Sequence, residues 1–286
     1  MNAIQNKDSY IVGIFSRYNF RFLITDCSNS VIEAVRRHKL EGSSLILAAK
    51  TMIGSFFLAG MVKEDTVVSI QLEGDGEIER VIGYSNRVGL MRVLAKNTSV
   101  NSNSNDPTFG IGTGIFRVTR WGGVKKLHQS LTKLEKKSFE SNLLDHIQES
   151  DQITSFLSIH IDALGEMVYA KGMILYALPG TELFLIEELF EKLNNIEYNG
   201  KELFSGGVKE ILNRIENVLG VRSEVLEEGS PKFHCGCSIE KIKDVVVSMG
   251  KDEANSILKE KGSIEFTCEF CKKVYSLNSD EVNLLF

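Results

Sequence analysis

Apolar and polar residues change their spacing twice along this chain. Between residues 10 and 179 strand and helix patterns are mixed: residues 156–161 alternate, and residues 173–178 form an apolar run. Both stretches predict strands of a mainly antiparallel sheet system. The longest apolar run, residues 45–61, is interrupted by Lys50 and a glycine, so it predicts a buried helix and not a membrane span.

A hairpin is predicted between residues 67–72 and 78–84. The dipeptide Asp75-Gly76 lies between them, and it is typical of the tight turn that joins two antiparallel strands. Residues 110–114 then have the glycine content of a phosphate-binding loop. Such a loop must open a helix, whereas residues 115–119 continue with a strand pattern. The glycines therefore predict close backbone packing in a sheet.

After residue 180 the pattern becomes helical and acidic. Apolar residues recur at helical spacing in residues 183–193 and again in residues 208–219, just before Gly220, which predicts two amphipathic helices. Residues 182–230 contain eleven glutamates, three lysines and two arginines, a net charge of −6, whereas the whole chain carries −5. The negative charge of the protein is therefore concentrated in this helical stretch.

The last segment combines short elements with few apolar residues. Residues 239–249 have helical spacing, and Gly250 is placed to end that helix. Asp252 is placed to cap a second short helix that ends at a glycine. Residues 264–268 then alternate as a strand, and residues 274–277 supply its predicted hairpin partner.

Composition narrows the classes of function. The chain has 286 residues, 43% apolar and 25% charged, as in an ordinary globular protein with one large core and a smaller unit. Residues 231–286 contain eight lysines and nine acidic residues, so nucleic-acid binding lacks its usual electrostatic footprint. The first residues do not have the pattern of a secretory signal, so we expect a cytoplasmic protein that binds neither nucleic acid nor a membrane.

Four of the five cysteines form two close pairs near the end of the chain, Cys235-Gly-Cys237 and Cys268-Glu-Phe-Cys271. Four thiolates at about 2.3 Å are a typical ligand set for tetrahedral zinc. Two structural disulfides are the alternative, which a reducing compartment disfavours. We therefore predict one zinc ion bound by Cys235, Cys237, Cys268 and Cys271. The residues leave open whether the zinc only stabilises the domain or also keeps reactive thiolates ready.

The predicted fold class is therefore α+β. It comprises a mainly antiparallel β N-terminal domain with packed helices, a helical linker and a small C-terminal zinc-binding α+β domain. The expected boundaries are residues 1–180 for the core domain, 181–229 for the acidic linker and 230–286 for the zinc domain.

The remaining candidate residues carry weaker signals. His234 adjoins Cys235 and is a candidate alternative ligand, although this position is more typical of an exposed histidine. Cys27 lies alone in an apolar stretch, where a cysteine usually behaves as a small buried residue. His128 and His160 have no partner in the sequence, so we expect core or surface roles for them. No catalytic residue is predicted.

The two cysteine motifs and their flanks, residues 233–242 and 262–275, resemble the zinc module of the redox-regulated heat-shock chaperones of thirty-three kilodaltons. Members of that family are ATP-independent holdases. Further fragments resemble the family in the same order upstream, at residues 47–50, 72–76, 112–119 and 178–180. The resemblance therefore extends over essentially the whole chain.

The resemblance implies a redox switch. The reduced form would bind one zinc ion, and oxidation by peroxide or hypochlorous acid would pair Cys235 with Cys237 and Cys268 with Cys271 and release the metal. The terminal domain would then unfold, and the helices of residues 182–225 would release apolar surface. The oxidised form would be a homodimer that binds unfolded or oxidatively damaged client proteins.

Two other classes of function stay open on the residues. One is a nucleic-acid-binding protein with a zinc-ribbon tail, which the nearly neutral terminal segment and its lack of stacked aromatic residues disfavour. The other is a thiol oxidoreductase that uses Cys268 and Cys271. In a thioredoxin-like oxidoreductase the two-cysteine motif lies at the start of a helix, whereas Cys268 and Cys271 are predicted between two short strands.

Overall fold

The computed structural model describes residues 7–62, 66–101, 110–122, 126–135, 137–164, 167–196 and 200–286. The chain forms two compact units, Met1–Phe233 and His234–Phe286. The functional division of the larger unit at residue 180 stays a prediction.

A five-stranded antiparallel sheet runs through the larger unit. Its strands are β1 (Ser9–Phe15), β2 (Phe20–Asp26), β9 (Ser155–Leu164), β10 (Met167–Ala177) and β11 (Glu224–Gly229). They lie in the order β11-β1-β2-β10-β9. The strands predicted at residues 156–161 and 173–178 are confirmed as β9 and β10. Both faces of this sheet are buried, because Phe22 and Leu23 are adjacent in β2 and belong to different hydrophobic clusters.

The second sheet of the larger unit has six strands. These are β3 (Thr66–Gly74), β4 (Arg80–Asn86), β5 (Leu90–Ala95), β7 (Gly114–Gly122), β8 (Lys126–Leu134) and β12 (Lys232–Phe233); a short β6 (Ser99–Val100) lies outside it. The predicted hairpin is confirmed, since β3 and β4 pair antiparallel from Val67–Asn86 to Glu73–Arg80. The predicted strand at residues 115–119 is confirmed within β7. At its start a Cβ on Gly114 would lie 2.0 Å from the carbonyl oxygen of Glu73, so glycine is required there.

One long helix occupies the core between the two sheets. The helices in this part of the chain are α1 (Ser28–His38), α2 (Gly42–Gly60) and α3 (Phe139–His146), which a π-helical turn (Ile147–Asp151) follows. In the described ranges, α2 is the single helix with the length and apolar composition of a membrane span, yet 83% of that window is buried inside the protein. It packs on β3, β4 and β5 and also on β9 and β10. The predicted buried helix is confirmed.

Three helices cover the other face of the five-stranded sheet. They are α4 (Leu183–Asn194), α5 (Gly200–Leu203) and α6 (Val208–Leu219), and together they are called the helical segment below. Leu189 of α4 and Ile215 of α6 belong to the same buried cluster as Phe22 of the sheet. The two predicted amphipathic helices are confirmed, and α6 ends as expected at Gly220, whose φ is +69°.

The smaller unit is α+β. It contains α7 (Ile239–Met249), α8 (Lys251–Lys261), β13 (Ile264–Thr267), β14 (Val274–Leu277) and α9 (Ser279–Asn283), and β13 and β14 form the predicted hairpin. The expected cap at Asp252 is wrong, because Gly250 occupies the N-cap position of α8 and Asp252 lies in its first turn. Gly250 has φ +91°, a conformation that glycine adopts readily, so the chain turns there and α8 begins at the next residue.

Candidate metal centre

Two loops of the smaller unit carry the four clustered cysteines. Cys235 and Cys237 lie in the irregular segment before α7, and Cys268 and Cys271 lie in the turn between β13 and β14. Two backbone hydrogen bonds close that turn: Cys268 donates to Lys273 at 2.9 Å, and Lys272 donates to Cys268 at 2.8 Å. The turn therefore holds both of its cysteines close together at the end of the hairpin.

The four sulfur atoms form a compact group. All four Sγ atoms lie within 4.8 Å of one another. The Sγ of Cys235 is 3.7 Å from that of Cys268, and the Sγ of Cys237 is 3.3 Å from that of Cys271. Tetrahedral zinc with Zn–S bonds of about 2.3 Å places its sulfur ligands about 3.8 Å apart. The donor atoms and their spacing therefore fit a four-coordinate metal ion.

The structure brings together the four cysteines that the sequence predicts as ligands. None of the four forms a disulfide, and because all four Sγ atoms lie within 4.8 Å of one another, this distance does not decide which of them pair on oxidation. The candidate ligand His234 is exposed and is not a member of the cluster found among the described residues. The ligand role of the cysteines stays a proposal, since the geometry shows their proximity and not a bound ion.

Hydrogen bonds make the four thiols unequal. The hydroxyl of Tyr275 donates to Cys237 Sγ at 3.1 Å. Burial raises the pKa of Cys237, but the hydrogen bonds from Tyr275 and the other three cysteines outweigh it and lower that pKa to about 7. Burial raises the pKa of Cys271 to about 12. Of these two cysteines, whose Sγ atoms are 3.3 Å apart, Cys237 is therefore the one that more readily becomes a thiolate.

The smaller unit has a small apolar core of its own. The buried cluster contains five residues: Val246, Ala254, Ile264, Leu277 and Val282. A unit of this size rarely obtains enough stability from its core alone, and metals or disulfides commonly supply the rest. The position of the cysteine cluster, which links the loop before α7 to the hairpin, suits that role.

The other sequence candidates belong to the larger unit. Cys27 is fully buried, as predicted, with its Sγ 3.2 Å from Thr25 Oγ1, and burial raises its pKa well above that of a free thiol. His160 stacks on Phe204 with ring centroids 6.1 Å apart, and His128 is exposed, so both have the structural or surface roles expected. The sequence reasoning missed Tyr275, and its only signal was its position in the predicted partner strand.

The comparisons with known proteins agree with one another. The family model for Hsp33 protein matches residues 8–278. The chain is 23% identical over 284 residues to the 33 kDa chaperonin of Thermodesulfovibrio yellowstonii, which covers 97% of this chain and 98% of the relative. It is 26% identical over 263 residues to the 33 kDa chaperonin of Bacillus subtilis, which covers 89% of this chain and 90% of the relative. The crystal structure of the 33 kDa chaperonin (heat shock protein 33 homolog) of Thermotoga maritima matches 98% of each chain at 25% identity and a TM-score of 0.87.

The fold and the site define a mixed α+β protein with antiparallel sheets and a C-terminal cysteine cluster that could hold a metal ion. The chain belongs to the Hsp33 protein family. The names of its relatives support its assignment as a chaperone, and chaperones of this family are not a known class of enzyme. The resemblance and the fold class predicted from the sequence are thus confirmed.

Proposed function

We propose that this protein is an ATP-independent holdase that binds unfolded or oxidatively damaged proteins after its cysteines are oxidised. The observation that carries the proposal is the group of four Sγ atoms within 4.8 Å, in a unit with five buried core residues. Cys235, Cys237, Cys268 and Cys271 would bind one zinc ion in the reduced form. Structural zinc contributes about 10–16 kcal/mol to folding, more than such a core supplies.

Oxidation removes the ligands that zinc needs. Conversion of the four thiolates to two disulfides leaves no sulfur anion to bind the ion, so the metal leaves and the smaller unit loses its main source of stability. We assign the disulfides to Cys235 with Cys237 and to Cys268 with Cys271. Cysteines separated by one or two residues stay close even when the chain around them unfolds, which favours these pairs over pairs more than thirty residues apart.

The chain links this event to the helical segment. From α6 it passes through β11, an edge strand, and through β12, which has two residues, and Cys235 follows two residues later. At the edges of their sheets these strands pair on one side, β11 with β1 and β12 with β5, so we expect the unfolding of residues 234–286 to loosen them and then α6. The apolar sheet residues under the helical segment, such as Phe22, would then be available to clients.

The conditions and partners of this switch belong to the same proposal. We place the protein in the cytoplasm, because a reducing compartment keeps the four cysteines in the thiol form that can bind zinc. We expect the oxidised form to be a homodimer, since the apolar surface released by each copy favours association. The proposed activity is binding without catalytic turnover.

The decisive experiment compares reduced, zinc-loaded protein with peroxide-treated protein. Suppression of the aggregation of an unfolded client is measured without ATP, zinc release is followed with a chromogenic chelator, and the disulfides are mapped by mass spectrometry. We expect protection after oxidation only, together with loss of the metal. Cys27→Ala is the matched control, because this cysteine lies outside the cluster and should leave both responses unchanged. Equal protection by the reduced form, with the zinc retained, would refute the switch.

A further inference from the structure

Tyr275 connects the two loops of the cysteine site. It lies in β14 opposite Phe266 of β13, and its side chain is buried. Its hydroxyl donates to Cys237 Sγ at 3.1 Å, across 38 positions of sequence. The β13–β14 hairpin therefore contacts the loop of Cys235 and Cys237 through the Tyr275 hydroxyl as well as through its own two cysteines.

A cation lies over the ring of the same tyrosine. The Nζ of Lys273 is 4.7 Å from the centroid of the Tyr275 ring. A positive charge at this distance is attracted to the ring electrons and favours the withdrawal of electron density from the phenol oxygen. On this argument the cation would strengthen the Tyr275 hydroxyl as a hydrogen-bond donor to Cys237, which a variant at Lys273 can test.

A hydrogen bond to a metal-binding sulfur has two effects. It fixes the orientation of the ligand, and loss of such an outer contact typically costs about 10–100-fold in metal affinity. It also draws electron density from the sulfur lone pairs, and a less electron-rich sulfur attacks an oxidant more slowly. In the zinc-bound form, where the sulfur is already a thiolate, both effects act in the same direction, because each of them keeps the site in its reduced, metal-binding arrangement.

We propose that Tyr275 is a positioning residue that determines how much oxidant is needed to open the site. Its hydroxyl holds Cys237 Sγ in the metal-binding arrangement and slows the oxidation of that sulfur. The proposal rests on the function proposed above, in that zinc is the ion bound and peroxide is the oxidant.

The step that Tyr275 slows is the attack of the Cys237 thiolate on hydrogen peroxide. An S–O bond forms, the O–O bond breaks, sulfur loses two electrons to the peroxide, and hydroxide leaves. A second cysteine thiolate then attacks the sulfenic acid, forms the S–S bond and expels a second hydroxide. The Tyr275 hydroxyl, bound to the sulfur lone pairs, opposes the first attack.

The test is Tyr275→Phe, which removes one oxygen and keeps the ring that packs in the hairpin. Zinc affinity is measured by competition with a chromogenic chelator, and the rate of zinc release is measured at a fixed peroxide concentration. We expect the affinity to fall by about 10-fold and the release to be faster. The matched control is Tyr169→Phe, an exposed tyrosine of β10 in the larger unit, which should change neither quantity.

A second variant, Lys273→Met, keeps the hydroxyl and removes the cation over the ring. It should change both quantities in the same direction as Tyr275→Phe, but less. Zinc affinity and release rate within twofold of wild type in Tyr275→Phe, or slower release, would overturn the proposal. Should peroxide fail to release zinc even from the wild-type protein, the proposed redox function fails, whereas chelator competition still decides the role of Tyr275.

Discussion

Lys171 in β10 donates from Nζ to the carbonyl oxygen of Gly206, in the connection between α5 and α6. The same Nζ lies 3.2 Å from a carboxylate oxygen of Asp26, and the lysine is buried. A buried charge needs such partners, so the sheet and the helical segment each supply one of them. The helical segment is thus held by a polar contact as well as by its apolar packing.

Replacement of this lysine should loosen the helical segment in the reduced protein. Lys171→Met keeps the chain length but removes the charged donor, and hydrogen bonds to charged groups contribute about 1.5–3 kcal/mol. We expect the free energy of unfolding to fall by about 2 kcal/mol in urea titrations, with increased binding of an apolar dye. The control Lys209→Met removes an exposed ion pair with Glu228, which contributes about 1 kcal/mol at most. Equal losses in the two variants would contradict a special role for Lys171.

The apolar contact between α6 and the sheet should also limit client binding before oxidation. Ile215 is fully buried, and Ile215→Ala should destabilise the protein by about 2–5 kcal/mol. Because a loosened α6 exposes the apolar sheet surface beneath it, the reduced variant should bind clients. This binding is measured as suppression of aggregation with zinc retained. Leu131→Ala truncates an exposed leucine of β8 and should be nearly neutral. A destabilised Ile215→Ala protein that still needs peroxide would show that release of α6 is insufficient.

Loss of one clustered cysteine should unfold the smaller unit. Cys268→Ser removes one of the four proposed ligands and with it most of the about 10–16 kcal/mol expected from structural zinc. Zinc content by mass spectrometry should fall, and amide protection in residues 234–286 should disappear in hydrogen exchange. Cys27→Ala should retain both the zinc and the protection. A Cys268→Ser protein with full protection would mean that the core of the unit suffices.

Acid should destabilise the larger unit through His146. Both ring nitrogens lie 3.0 Å from hydroxyl oxygens, those of Ser130 and Thr132, and burial lowers the pKa of this histidine to about 4. The unfolded chain, with a histidine pKa of about 6.5, therefore binds the proton more readily between pH 6.5 and 4. The contribution of His146 to stability is fully present above pH 6.5 and is lost as the pH falls through that window.

From pH 7 to pH 5 this loss amounts to about 2 kcal/mol from His146 alone. The measurement is urea unfolding at both pH values. In His146→Gln the glutamine amide can still hydrogen-bond the two hydroxyls, but it does not titrate. The loss of stability between pH 7 and pH 5 should therefore be about 2 kcal/mol smaller in this variant than in the wild type. His128→Gln, at an exposed position in β8, should keep the wild-type dependence. An unchanged pH dependence in His146→Gln would exclude this histidine as the cause.

Local periodicity predicted the elements that bury one continuous apolar face. The helices α4 and α6 and the β3–β4 hairpin were predicted in this way, whereas α2, which is buried on all sides, was predicted from its continuous apolar run. The helix α1 was missed because its buried positions include Ser28, Ser30 and His38, which weaken the apolar pattern. Its first turn is held by Asp8, whose carboxylate accepts from the backbone N–H groups of Asn29 and Ser30.

The strand β11 was missed for a related reason. Glu224–Gly229 contains three glutamates and is mostly exposed, so its own sequence favours no strand. It becomes one by pairing with β1, and Glu227 of this strand accepts a hydrogen bond from Tyr10 at 2.8 Å. A partner more than two hundred residues away in the sequence thus decides its conformation.

The sequence by itself determined which atoms the protein offers: four thiols in two close pairs, acidic helices with one apolar stripe and a small terminal unit with little core. These properties depend on composition and on spacing within a few residues, so they can be read directly from the sequence. Tertiary structure alone decided that Tyr275 donates to Cys237, that Lys171 reaches Gly206 and that His146 lies between two hydroxyls. The physical reason is that such contacts depend on strand register and on packing between distant segments, and local sequence patterns encode neither.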